Sequence, residues 1–154
     1  MKVSAGILVY RFRGKDLEVF LVHPGGPFWK NKDNGAWSIP KGETEPGEDN
    51  LEAARREFKE ETGFPVSGHF IELAPVRLKS GKVVHAWALE KDLDPESLVS
   101  NTCAVEWPPH SGKMIDVPEV DRGDWFKLDM AKERINPGQL PLLDELVVKV
   151  RKFV

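Results

Sequence analysis

Two tight apolar runs open the chain, SAGILVYRF and LEVFLVHP, with the polar RGKD between them. Runs of this length, rich in β-branched residues and split by a turn-forming connection, predict a strand pair. PGGPFWKNKDNG, crowded with Pro, Gly, Asn and Asp, then reads as a loop. AWSIPKGE reads as a short strand entering a turn, because Pro40 bars a longer one. From Asn50 the pattern changes. NLEAARREFKEET has the composition of a helix, with Asp49 as N-cap and Glu52 completing a capping-box pattern. Gly63 stands at the C′ position and Pro65 prevents continuation. HFIELAPVRLK and KVVHAWALEKD predict two more strands joined at SG. VEWPPHSGKMIDVPEVDRGDWFKL reads as loop-rich, with a short strand at Trp125-Phe126. In the tail, QLPLLDELVVKVRKFV, the apolar positions Leu143, Leu146, Val147 and Val150 recur at helical spacing. Strands interleaved with two helices predict an α/β sandwich around a mixed sheet, as one domain over residues 1–154.

Composition changes this picture little. Of 154 residues, 40% are apolar and 31% charged, ordinary for a globular protein. A formal charge of −3 argues against stable nucleic-acid binding, which draws on a basic surplus. The single cysteine, Cys103, has no partner within the chain and suits a reducing, cytoplasmic setting. The N-terminal apolar run is too short to span a membrane and reads as a soluble start.

Charge distribution changes it more. Gly42 to Phe64 holds eight carboxylates against three basic residues, a local charge of −5 in a chain of −3. At 100° per residue, Glu57, Glu60 and Glu61 fall within about 100° of one helix face. Leu51, Ala54 and Phe58 lie beside them, so an apolar stripe can be buried while three carboxylates edge a cleft. On an exposed helix such repulsion costs only about 0.2–0.5 kcal/mol per pair, and the face can simply be solvated. In a partly dry cleft two carboxylates about 5.5 Å apart repel by roughly 3 kcal/mol, and three call for a cation such as Mg²⁺.

The flanking residues separate these readings. Gly42, then Glu48 after five residues, then Arg56-Glu57-Phe58 after seven, with Glu60, Glu61, Gly63 and Phe64 following, resembles the Nudix box, G-x5-E-x7-R-E-U-x-E-E-x-G-U, where U is bulky and apolar. All nine specified positions are filled. AGILVYR resembles the family's opening strand, WSIPKGE its lead into the box, and PEVDRGDWF a later segment where members place a further acid.

The resemblance implies a Nudix-type α/β/α sandwich and a Mg²⁺- or Mn²⁺-dependent pyrophosphohydrolase acting on a nucleoside diphosphate linked to another group. It implies metal binding by Glu57, Glu60 and Glu61, joined by a backbone carbonyl at Lys41 or Gly42. Glu48 and Arg56 would orient the helix and loop, and Gly42 and Gly63 would serve backbone geometry. Family members place the general base differently, so Glu57, Glu60 and, beyond the box, Glu119 are all candidates, with Asp121 and Glu106 behind them.

On the substrate, Lys41 stands where many members have glycine. That resembles the branch acting on dinucleoside polyphosphates and diphosphoinositol phosphates, and Lys41 can serve as a point charge for a phosphate. The only tyrosine, Tyr10, lies in the first strand, so a base would have to stack on His85, Trp87, Phe28 or Trp29 instead. ADP-ribose, oxidised nucleoside triphosphates, capped RNA ends and a non-catalytic nucleotide-sensing module are the alternatives. His23, His69 and His110 show no metal spacing and read as structural.

Overall fold

The computed structural model describes residues 2–151. Strands β1 (Val3–Arg13) and β2 (Asp16–Pro24) form the expected antiparallel pair across Gly14-Lys15, with Arg13 opposite Asp16. The start of β1, Ser4 to Gly6, pairs with β3 (Lys41–Glu43), and Val3 to Tyr10 pair in parallel with β6 (Val83–Glu90). β1 is therefore the central strand, and its residues Ile7 to Val9 are fully buried.

Helix α1 (Asn50–Thr62) begins and ends where its caps dictate. The Asp49 carboxylate accepts from the Glu52 backbone N–H at 3.2 Å, and Gly63 adopts φ +82°, the left-handed conformation glycine tolerates. Glu52 does not return the capping contact; its carboxylate takes the Arg55 guanidinium at 3.1 Å instead.

Three segments depart from the sequence reading. The run from His69 to Lys79 is broken into β4 (Ile71–Glu72) and β5 (Val76–Arg77), both against β6. Pro75 lies in the break and has no N–H for the ladder. The region read as loop contains a separate hairpin, β7 (Thr102–Glu106) with β8 (Met114–Pro118). Next comes a full strand, β9 (Val120–Lys127), along the outer edge of β2. Exposed Asp121, Arg122, Asp124 and Lys127 give β9 the polarity of a loop, but an edge strand with a solvated face carries such residues at little cost. A short helix, α2 (Leu128–Arg134), was also not anticipated. It is too short for a period to stand out.

Helix α3 (Leu140–Arg151) is the predicted tail helix, and positions 152–154 of that prediction lie outside the described residues. Two apolar layers result. Leu142, Leu143, Leu146 and Val150 of α3 pack with Leu8, Leu21, Val84 and Ala86 on one face of the sheet. Ala53, Ala54 and Phe58 of α1 pack with Ala5, Ile7, Phe20 and Val22 on the other. The fold is an α/β/α sandwich around a mixed sheet, with order β4-β6-β1-β2-β9 and β3 beside β1. Among the described residues no helix is long and apolar enough to cross a membrane.

Candidate active site

The register of β3 against β1 sets the floor of the site. Gly42 lies opposite Ala5, and α1 crosses above it. A Cβ on Gly42 would fall 2.0 Å from the Glu57 carboxylate, so only glycine lets the strand pass beneath that side chain. Residue 57 faces inward, and one helical turn later so does residue 61: Glu57 and Glu61 are 9% and 7% exposed.

Glu119, at the junction of β8 and β9, brings a third carboxylate from outside the helix. One ligand oxygen from each of Glu57, Glu61 and Glu119 lies within 4.8 Å of the others. Burial and mutual repulsion act together here. Burial first, then Glu119 and Glu57, pushes the Glu61 carboxyl up to about 9, although Lys41 opposes this with its charge and a backbone hydrogen bond. Glu57 is raised by burial and by Glu60, against the pull of Arg56. Glu119 is raised by burial and by Glu60. Three acids that resist ionisation together are a group that could hold a cation. Oxygen-only donors on rigid elements fit a hard divalent ion.

Lys41 lines the same small cleft as Glu61, Glu119, Ser38 and Pro24. Its ammonium is lowered chiefly by burial and secondarily by Lys82. A half-buried amine next to a carboxylate cluster is placed to meet an anion that arrives with a cation.

Glu60, grouped with the other two by the helical wheel, lies apart from the cluster in this structure. Its carboxylate takes Arg56 Nη1 at 3.2 Å on the more exposed side of α1. Arg56 is the hub of the helix. It grips both oxygens of Glu48 (2.8 and 3.0 Å), donates to Glu57 at 2.9 Å and reaches the Glu43 carbonyl at 3.2 Å. The hydrogen bond from Arg56 holds the Glu48 carboxyl down at about 2. One guanidinium thus ties the loop after β3 to Glu57, with its grip on Glu48 in the bidentate geometry that makes such pairs strong.

The remaining candidates are placed as follows. Asp121 turns from the cluster to His23 Nδ1 at 2.9 Å. His23, fully buried, also bonds the Lys32 carbonyl through Nε2 at 2.6 Å, which pins the loop after β2 to the start of β9. Glu106 caps its own hairpin turn by accepting from the His110 and Gly112 backbones, each at 3.0 Å. His85 and Trp87 lie on β6, across β1 from β3, and Trp87 packs into the core beneath α1. Trp29 is half-buried, edge-on to Phe28 at 5.0 Å, in the loop after β2.

Sequence reasoning missed Asn101. Its backbone N–H donates to the Glu60 carbonyl at 2.8 Å, and its own carbonyl accepts from the Glu119 N–H at 3.0 Å. Ser100 Oγ accepts from Val120 N at 3.0 Å. This short bridge fixes Glu119 relative to the end of α1, and because it uses mainly backbone atoms, no residue type signals it.

A family model described as the NUDIX domain matches residues 1–146. The chain is 44% identical over 71 residues to the asymmetrical bis(5'-nucleosyl)-tetraphosphatase of Rattus norvegicus, covering 42% of this chain and 48% of that one. It is 30% identical over 132 residues to an octanoyltransferase of Myxococcus xanthus, covering 86% of this chain and 32% of that one. The chain thus spans half or less of the length of these relatives. Among solved structures, a C. elegans Ap4A hydrolase binary complex superposes with a TM-score of 0.67 at 21% identity, covering 97% and 98% of the two chains. The NUDIX domain of Shewanella oneidensis NrtR, complexed with ADP ribose, gives 0.67 at 16% identity over 96% and 87%. With the family model matched along nearly its whole length and the box carboxylates gathered over β3, the chain belongs to the NUDIX domain family.

Proposed function

We propose that this protein is a Mg²⁺- or Mn²⁺-dependent pyrophosphohydrolase of nucleotide derivatives, with dinucleoside polyphosphates as the first substrate class to test. The observation that carries this reading is the convergence of Glu57, Glu61 and Glu119 within 4.8 Å beside the half-buried Lys41. The alignments with tetraphosphatases of rat and mouse, at 44% and 41% identity, support the substrate class.

A divalent ion bound there neutralises the phosphate charge that otherwise repels a nucleophile. The chain's own residues do the rest. Glu57 and Glu61 would hold the ion, and Arg56 fixes Glu57, while among the described residues no guanidinium hydrogen bond reaches Glu61 or Glu119. Lys41 takes a phosphate oxygen. Glu119, which reaches the cluster from outside the helix, is half-exposed and has its carboxyl raised by burial and by Glu60, and it accepts the proton of the attacking water. As the new P–O bond forms, the anhydride P–O bond breaks and the second phosphate leaves with the bond's electron pair.

The test is product release from diadenosine polyphosphates, ADP-ribose, nucleoside triphosphates, a diphosphoinositol phosphate and a capped RNA, with Mg²⁺ or Mn²⁺, wild type beside Glu61→Gln. Turnover of one class, lost by orders of magnitude in the variant, is the expected result. No turnover across both metals, with nucleotide binding retained, favours a sensing module instead.

A further inference from the structure

The β7–β8 hairpin stands off the main sheet, and neither the metal-facing carboxylates nor Lys41 lies within it. Its inward side is nonetheless apolar. Along β7, Thr102, Ala104 and Glu106 are exposed while Cys103 and Val105 are half-buried, and Trp107 continues the inward set. From β8, Val117 is buried, and its methyl group is the nearest atom a Cβ on Gly26 would meet, at 3.4 Å. The hairpin therefore lies against the loop after β2.

Between loop and hairpin is a cleft of about 200 Å³. Its walls are Pro27, Phe28 and Trp29 on one side and Val105, Trp107 and Pro109 on the other. Phe28 remains 57% exposed, with the Lys32 ammonium 4.6 Å from its ring centroid and Trp29 edge-on to it. No lysine or arginine lines the cleft, and its one acid, Glu106, already accepts two backbone N–H groups. The walls themselves offer a phosphate no counter-charge, and the nearby Lys32 ammonium is engaged on the Phe28 ring. A neutral, planar ring has three aromatic faces to meet.

The cleft is also joined to the carboxylate site through the backbone. A Cβ at Gly25 would fall 2.0 Å from the Pro118 carbonyl oxygen, and the Gly25 N–H donates to the Glu119 carbonyl at 3.0 Å. The backbone that ends the cleft is the backbone that presents Glu119. A ligand whose phosphates sit at Glu57, Glu61 and Glu119 has a ring-binding surface immediately beyond.

We infer that the cleft between the loop Gly25–Trp29 and the β7–β8 hairpin is the base-binding subsite, taking the planar base of a nucleotide by stacking on Trp107, Trp29 and Phe28. This rests on the hydrolase reading for the orientation of the ligand, and it gives the hairpin the role of selecting nucleotides over base-free phosphates.

AMP and ribose 5-phosphate share a phosphate and differ by the base, and neither has an anhydride bond to cleave. Binding of each is measured by calorimetry and tryptophan fluorescence with Mg²⁺ present. Wild type is expected to prefer AMP at least fivefold, with fluorescence quenched by AMP alone. Trp107→Ala and the exposed Phe28→Ala should each lose most of that preference, whereas Trp107→Phe, which keeps a stacking face, should retain it. Equal binding of the two probes by wild type, or an unchanged preference in both alanine variants, overturns the assignment.

Turnover separates this from the hydrolase reading. If nucleotides are hydrolysed with unchanged KM in Trp107→Ala, the subsite is wrong and the hydrolase stands. If nothing is hydrolysed but the Trp107-dependent AMP preference is present, the subsite stands and the hydrolase falls. If both hold, KM in Trp107→Ala rises at least fivefold while kcat changes less than threefold.

Discussion

Gly42 and Glu57 are in direct steric contact: a single methyl group on the glycine would occupy the place of the Glu57 carboxylate. The backbone at Gly42 is not in the left-handed region, so the constraint is one of space alone. Gly42→Ala must therefore displace either the strand or the acid. Since β3 is held by its pairing with β1, Glu57 is expected to yield. The expected result is a stability loss of about 1–3 kcal/mol, in the range of other overpacked sites. Metal affinity should fall at least tenfold. Denaturant melts and metal titration check both, and wild-type affinity in the variant would show that the carboxylate's position is not critical.

The acidic cluster has a pH signature. In the metal-free protein the Glu61 carboxyl is raised from 4.5 to about 9. Between those values the folded chain holds a proton that the unfolded chain has released, so stability falls as pH rises, by at most about 1.4 kcal/mol per pH unit for this one group. Below 4.5 both states are protonated and the penalty vanishes. A divalent ion binds the ionised carboxylates, so saturating Mg²⁺ should flatten the slope and release protons on binding. Thermal melts of chelator-treated protein from pH 5.5 to 8.5, with and without Mg²⁺, measure this. A metal-free Tm that does not fall across that range would show that Glu61 is not buried among like charges.

Glu57, Glu60 and Glu61 of the box are not equivalent. Glu61 is buried in the cluster, Glu57 is shared between the cluster and Arg56, and Glu60 faces Arg56 outside it. Replacing each by Gln removes charge at nearly constant shape. The loss of Mg²⁺ affinity is expected to be largest at Glu61, intermediate at Glu57 and smallest at Glu60, with Glu119→Gln resembling Glu57→Gln. Calorimetric titration of the four variants gives the order. A loss at Glu60 equal to that at Glu61 would mean that Glu60 leaves Arg56 to join the ion.

Much of this site is legible in the sequence because its parts are local. Gly42 to Gly63 is one strand end, one loop and one helix, and the caps at Asp49 and Gly63 set where the helix starts and stops. Periodicity also places Glu57 and Glu61 one turn apart on the inward face. It cannot say that Glu60, at a similar angle, turns to Arg56, because that depends on where β3 passes. Glu119 is 58 residues from Glu61 and reaches it only through β8, β9 and the Asn101 bridge, and nothing in the local pattern encodes that approach. The β7–β8 hairpin is illegible for another reason: apolar and polar residues do not alternate cleanly along it, with Met114 and Ile115 exposed beside Asp116, and its turn holds two prolines.

Asn101 offers the sharpest test of how Glu119 is held. Its side chain contributes little, since the Nδ2 contact to Glu119 is long at 3.5 Å. Its backbone makes the bridge, donating to the Glu60 carbonyl and accepting from the Glu119 N–H. Asn101→Ala keeps both backbone bonds and is expected to change kcat less than threefold. Asn101→Pro deletes the N–H, releases the bridge from the end of α1 and should lower kcat at least tenfold. The fold itself should persist in both, because residue 101 lies outside the main sheet and both apolar layers. Steady-state kinetics beside far-UV circular dichroism separate the two effects. Equal activity in the two variants would show that Glu119 is positioned by its own strand, whereas a large loss in Asn101→Ala would move the role to the side chain.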